Sequence, residues 1–159
     1  MKSLFIKMVL DAWYLQVKRT DDLLKTLTDE QLNHEISPGR NTGVYLLGHL
    51  IGVHDKMLPL LGLGESFYPE LYEMFVTSKH DPSKATPPIH DLRSYWTKVN
   101  QSLADHFSKM NPDDWFQRHM VISEEDFVKE PHRNKLNLVL NRTNHLEYHR
   151  GQMILLKEK

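Results

Sequence analysis

Residues 41–61 read NTGVYLLGHLIGVHDKMLPLL, and this stretch sets the fold class. Asn41 or Thr42 can cap a helix here, because a short polar side chain accepts from the free backbone N–H groups of the first turn. The apolar run continues to about Leu61, where Gly62 and Gly64 end it. Gly48 and Gly52 are one helical turn apart and would let another helix approach closely. Pro59 falls near the end, where a distorted last turn is tolerable. In the middle of this run stands His49, flanked by Leu46, Leu47, Leu50 and Ile51.

Three more long segments share the helical period. The first runs from about Ser3 to Lys25, with Phe5, Met8, Val9, Ala12, Trp13, Leu15 and Leu23 at spacings of three and four. Thr28-Asp29-Glu30-Gln31 then reads as a capping box opening a short helical turn. After the break at Ser37 to Asn41 and the second helix, residues 65–88 form a long excursion, with a short helix from Tyr68 to Val76 and a polar, proline-rich part from His80 to Pro88. A third long helix spans about His90 to Lys109. Asn111-Pro112-Asp113-Asp114 reads as a cap with proline at the first helical position. Residues 117–133 are irregular, with Met120-Val121-Ile122 as a short extended piece, and a last helix covers about Asn134 to Lys157. Four long helices and two long irregular connections predict an all-α protein, a four-helix bundle forming one domain over residues 1–159.

Composition narrows the function. A chain of 159 residues, 40% hydrophobic and 26% charged, can bury one real core. The 20 basic residues are balanced by 21 acidic ones and scattered, so no basic face is offered to a nucleic acid. No apolar run approaches the roughly 20 residues of a membrane span, and no cleavage site suggests secretion, so the expected location is cytoplasmic. With no cysteine, thiolate nucleophiles and thiolate metal sites are excluded, and any metal must be held by nitrogen or oxygen.

Ten histidines stand out in a chain of this length. In the segment NHLEYHRGQ, residues 144–152, His145 and His149 are four apart. On a helix they differ by about 40°, so both rings leave one face, one turn apart, the spacing with which a helix grips a metal. Leu146 occupies the position where a zinc protease carries glutamate, so that chemistry is ruled out. The pair alone also fits two solvated histidines, and a third ligand is needed. His49 is the candidate, since an imidazole in so apolar a run needs partners for both nitrogens. A core histidine satisfied by a neighbouring hydroxyl or carbonyl is the alternative. His54, about 140° further round, does not share that face. His34, His80, His90, His106, His119 and His132 fall in loops or on polar faces and read as solvated.

The patches NTGVYLLGHLIGVHD and NHLEYHRGQ resemble the DinB-like family, the second through its HxxxHxGQ form. The resemblance covers the whole chain. It implies an up-down-down-up four-helix bundle with one divalent metal ion held by His49, His145 and His149. It also implies metal-dependent chemistry with low-molecular-weight thiols such as bacillithiol, mycothiol or glutathione, in S-transfer or isomerisation. Other members are named for DNA-damage induction alone, so a non-catalytic metal-binding or stress-associated bundle with a vestigial site is the competing expectation.

Three neutral imidazoles leave an ion with an open position, the catalytic rather than the structural pattern. Such an ion lowers the pKa of bound water, polarises a carbonyl or stabilises a thiolate. The expected reaction is thiol-dependent S-transfer or hydrolysis of a small molecule. Zinc or nickel comes first for imidazole ligands, with iron or manganese as further candidates. Asn141 or Gln152 could orient a ligand histidine, and Arg142 could receive a substrate carboxylate or simply be solvated. No acid is placed as general base: Glu147 faces away from the histidines and Asp55 lies about 120° from His49. His80, Glu124 and Glu125, in the irregular connections, remain open as helpers. Nucleic acid and membrane are not expected partners, whereas a homodimer is.

Overall fold

The computed structural model describes residues 1–78 and 85–159 and is all-helical among them. His80, one of the candidates above, lies outside the described residues. Helix α1 spans Lys2–Thr26, α2 Asp29–Asn33, α3 Gly43–Asp55, α4 Met57–Leu61 and α5 Pro69–Tyr72. They are followed by α6 over Ile89–Phe107, α7 over Glu124–Lys129 and α8 over Lys135–Met153. No helix of the described residues is long and apolar enough to cross a membrane.

The local signals act as their chemistry requires. Thr28 and Gln31 form the reciprocal capping box: the Thr28 hydroxyl accepts from the Gln31 N–H, and the Gln31 side chain accepts from the Thr28 N–H. Of the two cap candidates for α3, Thr42 takes the role and accepts from the Tyr45 N–H. The expected single helix through Leu61 is divided, with α3 ending at Asp55 and α4 beginning at Met57. Pro59 has no N–H, and its ring crowds the carbonyl four residues back, which is that of Asp55. The last helix is likewise shorter than expected, giving way at Ile154 to a 3₁₀ stretch over Ile154–Glu158.

Three further expectations are corrected. Pro112 starts no α-helix; the segment makes only a 3₁₀ turn over Asp114–Phe116, which seats Trp115 in the core. Met120 to Ile122 is a turn, not an extended piece, and the Met120 N–H donates to the Leu60 carbonyl. In α1 the core-facing line is Ile6, Trp13, Gln16, Thr20, Leu23 and Leu24, whereas Phe5, Met8 and Leu15 of the expected stripe are exposed. Two apolar lines with the same three-and-four spacing run along this helix. Periodicity measures the spacing and does not say which line meets a neighbour.

The four long helices close on one buried cluster that includes Trp13, Leu47, Leu50, Trp96, Val99, Leu103, Val139 and Leu146. Polar links join them in pairs. Trp96 Nε1 donates to Asp21 between α6 and α1, and Gln16 donates to Glu147 between α1 and α8. His54 Nδ1 donates to Asn100 Oδ1 at 2.8 Å between α3 and α6. His54 is fully buried, its ring between Trp13 and Trp96 with centroids 4.7 and 5.0 Å away. The Asn100 amide in turn donates to the Trp96 carbonyl, so this pair is anchored to the backbone of α6.

Burial holds the His54 pKa down to about 3, well below the ordinary imidazole value near 6.5. The unfolded chain therefore takes up a proton that the native core refuses as pH falls between those values. This share of stability is complete above pH 6.5 and is lost progressively toward pH 3. Urea denaturation of wild type and His54→Leu checks this. The variant is expected to be less stable at neutral pH, because Asn100 loses its partner, yet to lose less stability on acidification to about pH 5. An acid slope identical in the two proteins would contradict the assignment.

Candidate metal centre

His49 leaves α3, and His145 and His149 leave α8, with their Nε2 atoms directed at one another. His145 Nε2 lies 3.1 Å from His49 Nε2 and 3.1 Å from His149 Nε2. All three candidate donor atoms fall within 4.8 Å of one another, and all three side chains are half-buried. Two donors 3.1 Å apart that share an ion at about 2.1 Å subtend an angle near 95°, so the cluster is the right size for one first-row divalent cation.

The remaining ring nitrogens determine which tautomer each imidazole adopts. His49 Nδ1 sits 3.0 Å from the Phe75 carbonyl, which can only accept, so the proton is on Nδ1 and the Nε2 lone pair faces the cluster. His149 Nδ1 donates to Gln152 Oε1 at 2.8 Å, with the same consequence. Two lone pairs thus converge on His145 Nε2. A proton there could satisfy one of them, whereas a cation satisfies all three nitrogens together. His145 Nδ1 is buried without a partner among the described residues.

The local field favours neutral rings. Burial is the largest cause lowering the pKa of all three, and at His145 the charges of His149, His49 and Arg142 add to it, taking that ring down to about 4. Neutral imidazole is the form that binds metal, so these rings need lose no proton to do so at neutral pH.

The carbonyl that orients His49 belongs to the excursion between α4 and α6. Residues Glu73–Thr77 form a π-helical turn continuing α5, and Phe75 lies in it. The Phe75 carbonyl also accepts from the Tyr45 hydroxyl at 3.1 Å. This segment can reach α3 because of the two glycines. A Cβ on Gly48 would meet the Phe75 ring at 2.5 Å, and one on Gly52 would meet the backbone at Leu71 and Tyr72 at 3.0–3.1 Å. The expected close approach at Gly48 and Gly52 therefore exists, but the partner is the excursion helix rather than a long one.

The other candidates sort clearly. Gln152 contacts a histidine of the cluster, whereas Asn141 is exposed and makes no such bond. Glu147 lies against Gln16 of α1, and Asp55 accepts from the backbone N–H groups of Phe67 and Tyr68. Glu125 pairs with Lys129, and Glu124 lies 3.7 Å from Arg118. None of these carboxylates belongs to the histidine cluster. His54 is the core histidine described above. His119, expected to be solvated, is partly buried with its Nδ1 lacking a partner. The π-turn carbonyl was not foreseen; the glycine pair signalled a close neighbour without naming it.

A sequence model of the DinB superfamily matches residues 12–153. The chain belongs to the DinB superfamily. No curated protein matches it. The matched span reaches from the middle of α1 to the last residue of α8, so the DinB resemblance of the two histidine patches extends over both helices that carry them. A three-histidine cluster able to hold a metal ion is compatible with DinB superfamily membership.

The tight seat of Phe75 on Gly48 gives a prediction. Gly48→Ala is expected to lower stability by about 1–3 kcal/mol in denaturant melts, despite alanine's better helix propensity, because the buried ring must move. A variant as stable as wild type would contradict this account of the packing.

Proposed function

We propose that this DinB superfamily protein binds one divalent metal ion through His49, His145 and His149 and is a metal-dependent enzyme acting on a small molecule. One observation carries the reading: two imidazoles have their Nδ1 protons committed to a carbonyl and an amide oxygen, so that their Nε2 lone pairs converge with His145 on one point. An ion held by only three neutral ligands keeps an open position and supplies Lewis-acid chemistry, lowering the pKa of a thiol or water that reaches it.

The chain's own part is to present the three lone pairs, to hold two of the rings through Phe75 and Gln152, and to keep all three neutral by burial. With no cysteine of its own, the protein would draw the thiol for S-transfer from a low-molecular-weight thiol, whereas hydrolysis would need only water at the ion. A cytoplasmic setting, where such thiols stay reduced, accords with this. Imidazole donors favour zinc or nickel, then iron or manganese. The contacts among α1, α3, α6 and α8 support an up-down-down-up bundle. The solvent-facing line of Leu4, Phe5, Met8 and Leu15 supports pairing of two copies.

One observation favours a second reading, a metal-holding bundle without catalysis: no carboxylate among the described residues joins the histidine cluster as a base. Two measurements separate the readings. Elemental analysis of untagged protein is expected to find close to one first-row divalent ion per chain, falling to near zero in the His145→Ala, His149→Ala double variant. Full occupancy in that variant would overturn the ligand assignment. Thiol consumption with electrophilic substrates is expected to require the metal and to stop on chelation. A fully metallated protein that turns over no thiol, ester or amide is the result that selects the second reading.

A further inference from the structure

Arg142 lies one turn before His145 on the same face of α8. It is seven residues, nearly two full turns, before His149 as well, so it falls on the helix face that carries both histidines. The side chain is partly buried, and burial makes its own charged form harder to hold. Yet no counter-ion for it is present among the described residues. Among the described residues no carboxylate lies within ion-pair distance and no oxygen accepts a hydrogen bond from it. Its Nε is buried without a partner, whereas its two terminal nitrogens are not sealed from solvent.

An uncompensated, partly buried guanidinium is costly, and proteins ordinarily pair one. The acids weighed as helpers for the site have partners of their own: Asp55 the backbone amides of Phe67 and Tyr68, Glu147 Gln16, and Glu124 beside Arg118. Among the described residues the Tyr72 phenol is the group that favours the charged form of Arg142, against the larger effect of burial. Among the described residues, no carboxylate joins either the three histidines or this guanidinium.

We propose that Arg142 is the receptor for a carboxylate on the substrate, so that the site takes small molecules carrying a carboxylate beside the group presented to the three histidines. The inference rests on the reading of those histidines as a metal centre. A carboxylate suits it better than a phosphate. One planar guanidinium with two reachable donors matches one carboxylate, while a phosphate dianion calls for more donors and more charge.

The test uses the full metal-loaded chain and calorimetric titration with 3-mercaptopropionate and 2-mercaptoethanol, which differ in the carboxylate. Wild type is expected to favour 3-mercaptopropionate by roughly tenfold. Arg142→Met should erase that preference while leaving metal content and 2-mercaptoethanol affinity unchanged, and Arg142→Lys should keep part of it. A preference absent from wild type, or surviving in Arg142→Met, overturns the proposal. Inorganic phosphate that displaces 3-mercaptopropionate more strongly than acetate does overturns the carboxylate assignment. A protein that retains no metal fails the metal reading alone. Acetate titrated into that metal-free protein should still saturate a shift of the Arg142 side-chain NMR resonance, and no saturable shift overturns the role of Arg142.

Discussion

The hydrogen bond from His49 Nδ1 to the Phe75 carbonyl joins two stretches of chain that meet only because two glycines clear the way. Its consequence is chemical as well as structural. A carbonyl cannot donate, so the proton must lie on Nδ1, and the lone pair is left on the nitrogen that faces α8. Without that bond the His49 ring would be free to turn or to change tautomer, and the meeting of three nitrogens within 4.8 Å would lose its common polarity. The π-helical turn fits this role, since one-turn π segments recur where a helix must re-aim a group.

His49 and His54 show how little separates a site histidine from a packing histidine. They share one helix, five positions apart, and both have depressed pKa values because burial penalises the charged ring. His54 is enclosed by two tryptophans and spends one nitrogen on Asn100, which anchors α3 to α6. His49 is only half-buried and points its second nitrogen at two more imidazoles. The 140° between them on the helix is enough to send one ring into the core and the other to the cluster.

Among the described residues, no carboxylate joins the histidine cluster. Three imidazoles lie together with Arg142 one turn away on the same face of α8, while Asp55 accepts from backbone amides and Glu147 from Gln16. Buried positive potential of this kind is maintained against its own repulsion by keeping the imidazoles neutral, with only the guanidinium carrying full charge. Membership in the DinB superfamily is compatible with the histidine cluster.

Helical class was legible in residues 41–61 and in the capping signals at Thr28 and Thr42, since caps and periods act within one turn of chain. The pairing of His145 with His149 was equally local, four residues on one helix. His49 could be nominated from its apolar setting, and the resemblance of the two patches to the DinB family joined it to the pair. Tertiary structure alone decided the rest. Which of two equally spaced lines on α1 is buried depends on what packs against it, and spacing carries no such information. Likewise, nothing local showed that Phe75 would supply the orienting carbonyl, that Gln152 rather than Asn141 would hold His149, or that Arg142 would have no acidic partner among the described residues. Each is a contact between segments distant in sequence or a choice of rotamer, and those are settled only when the helices close.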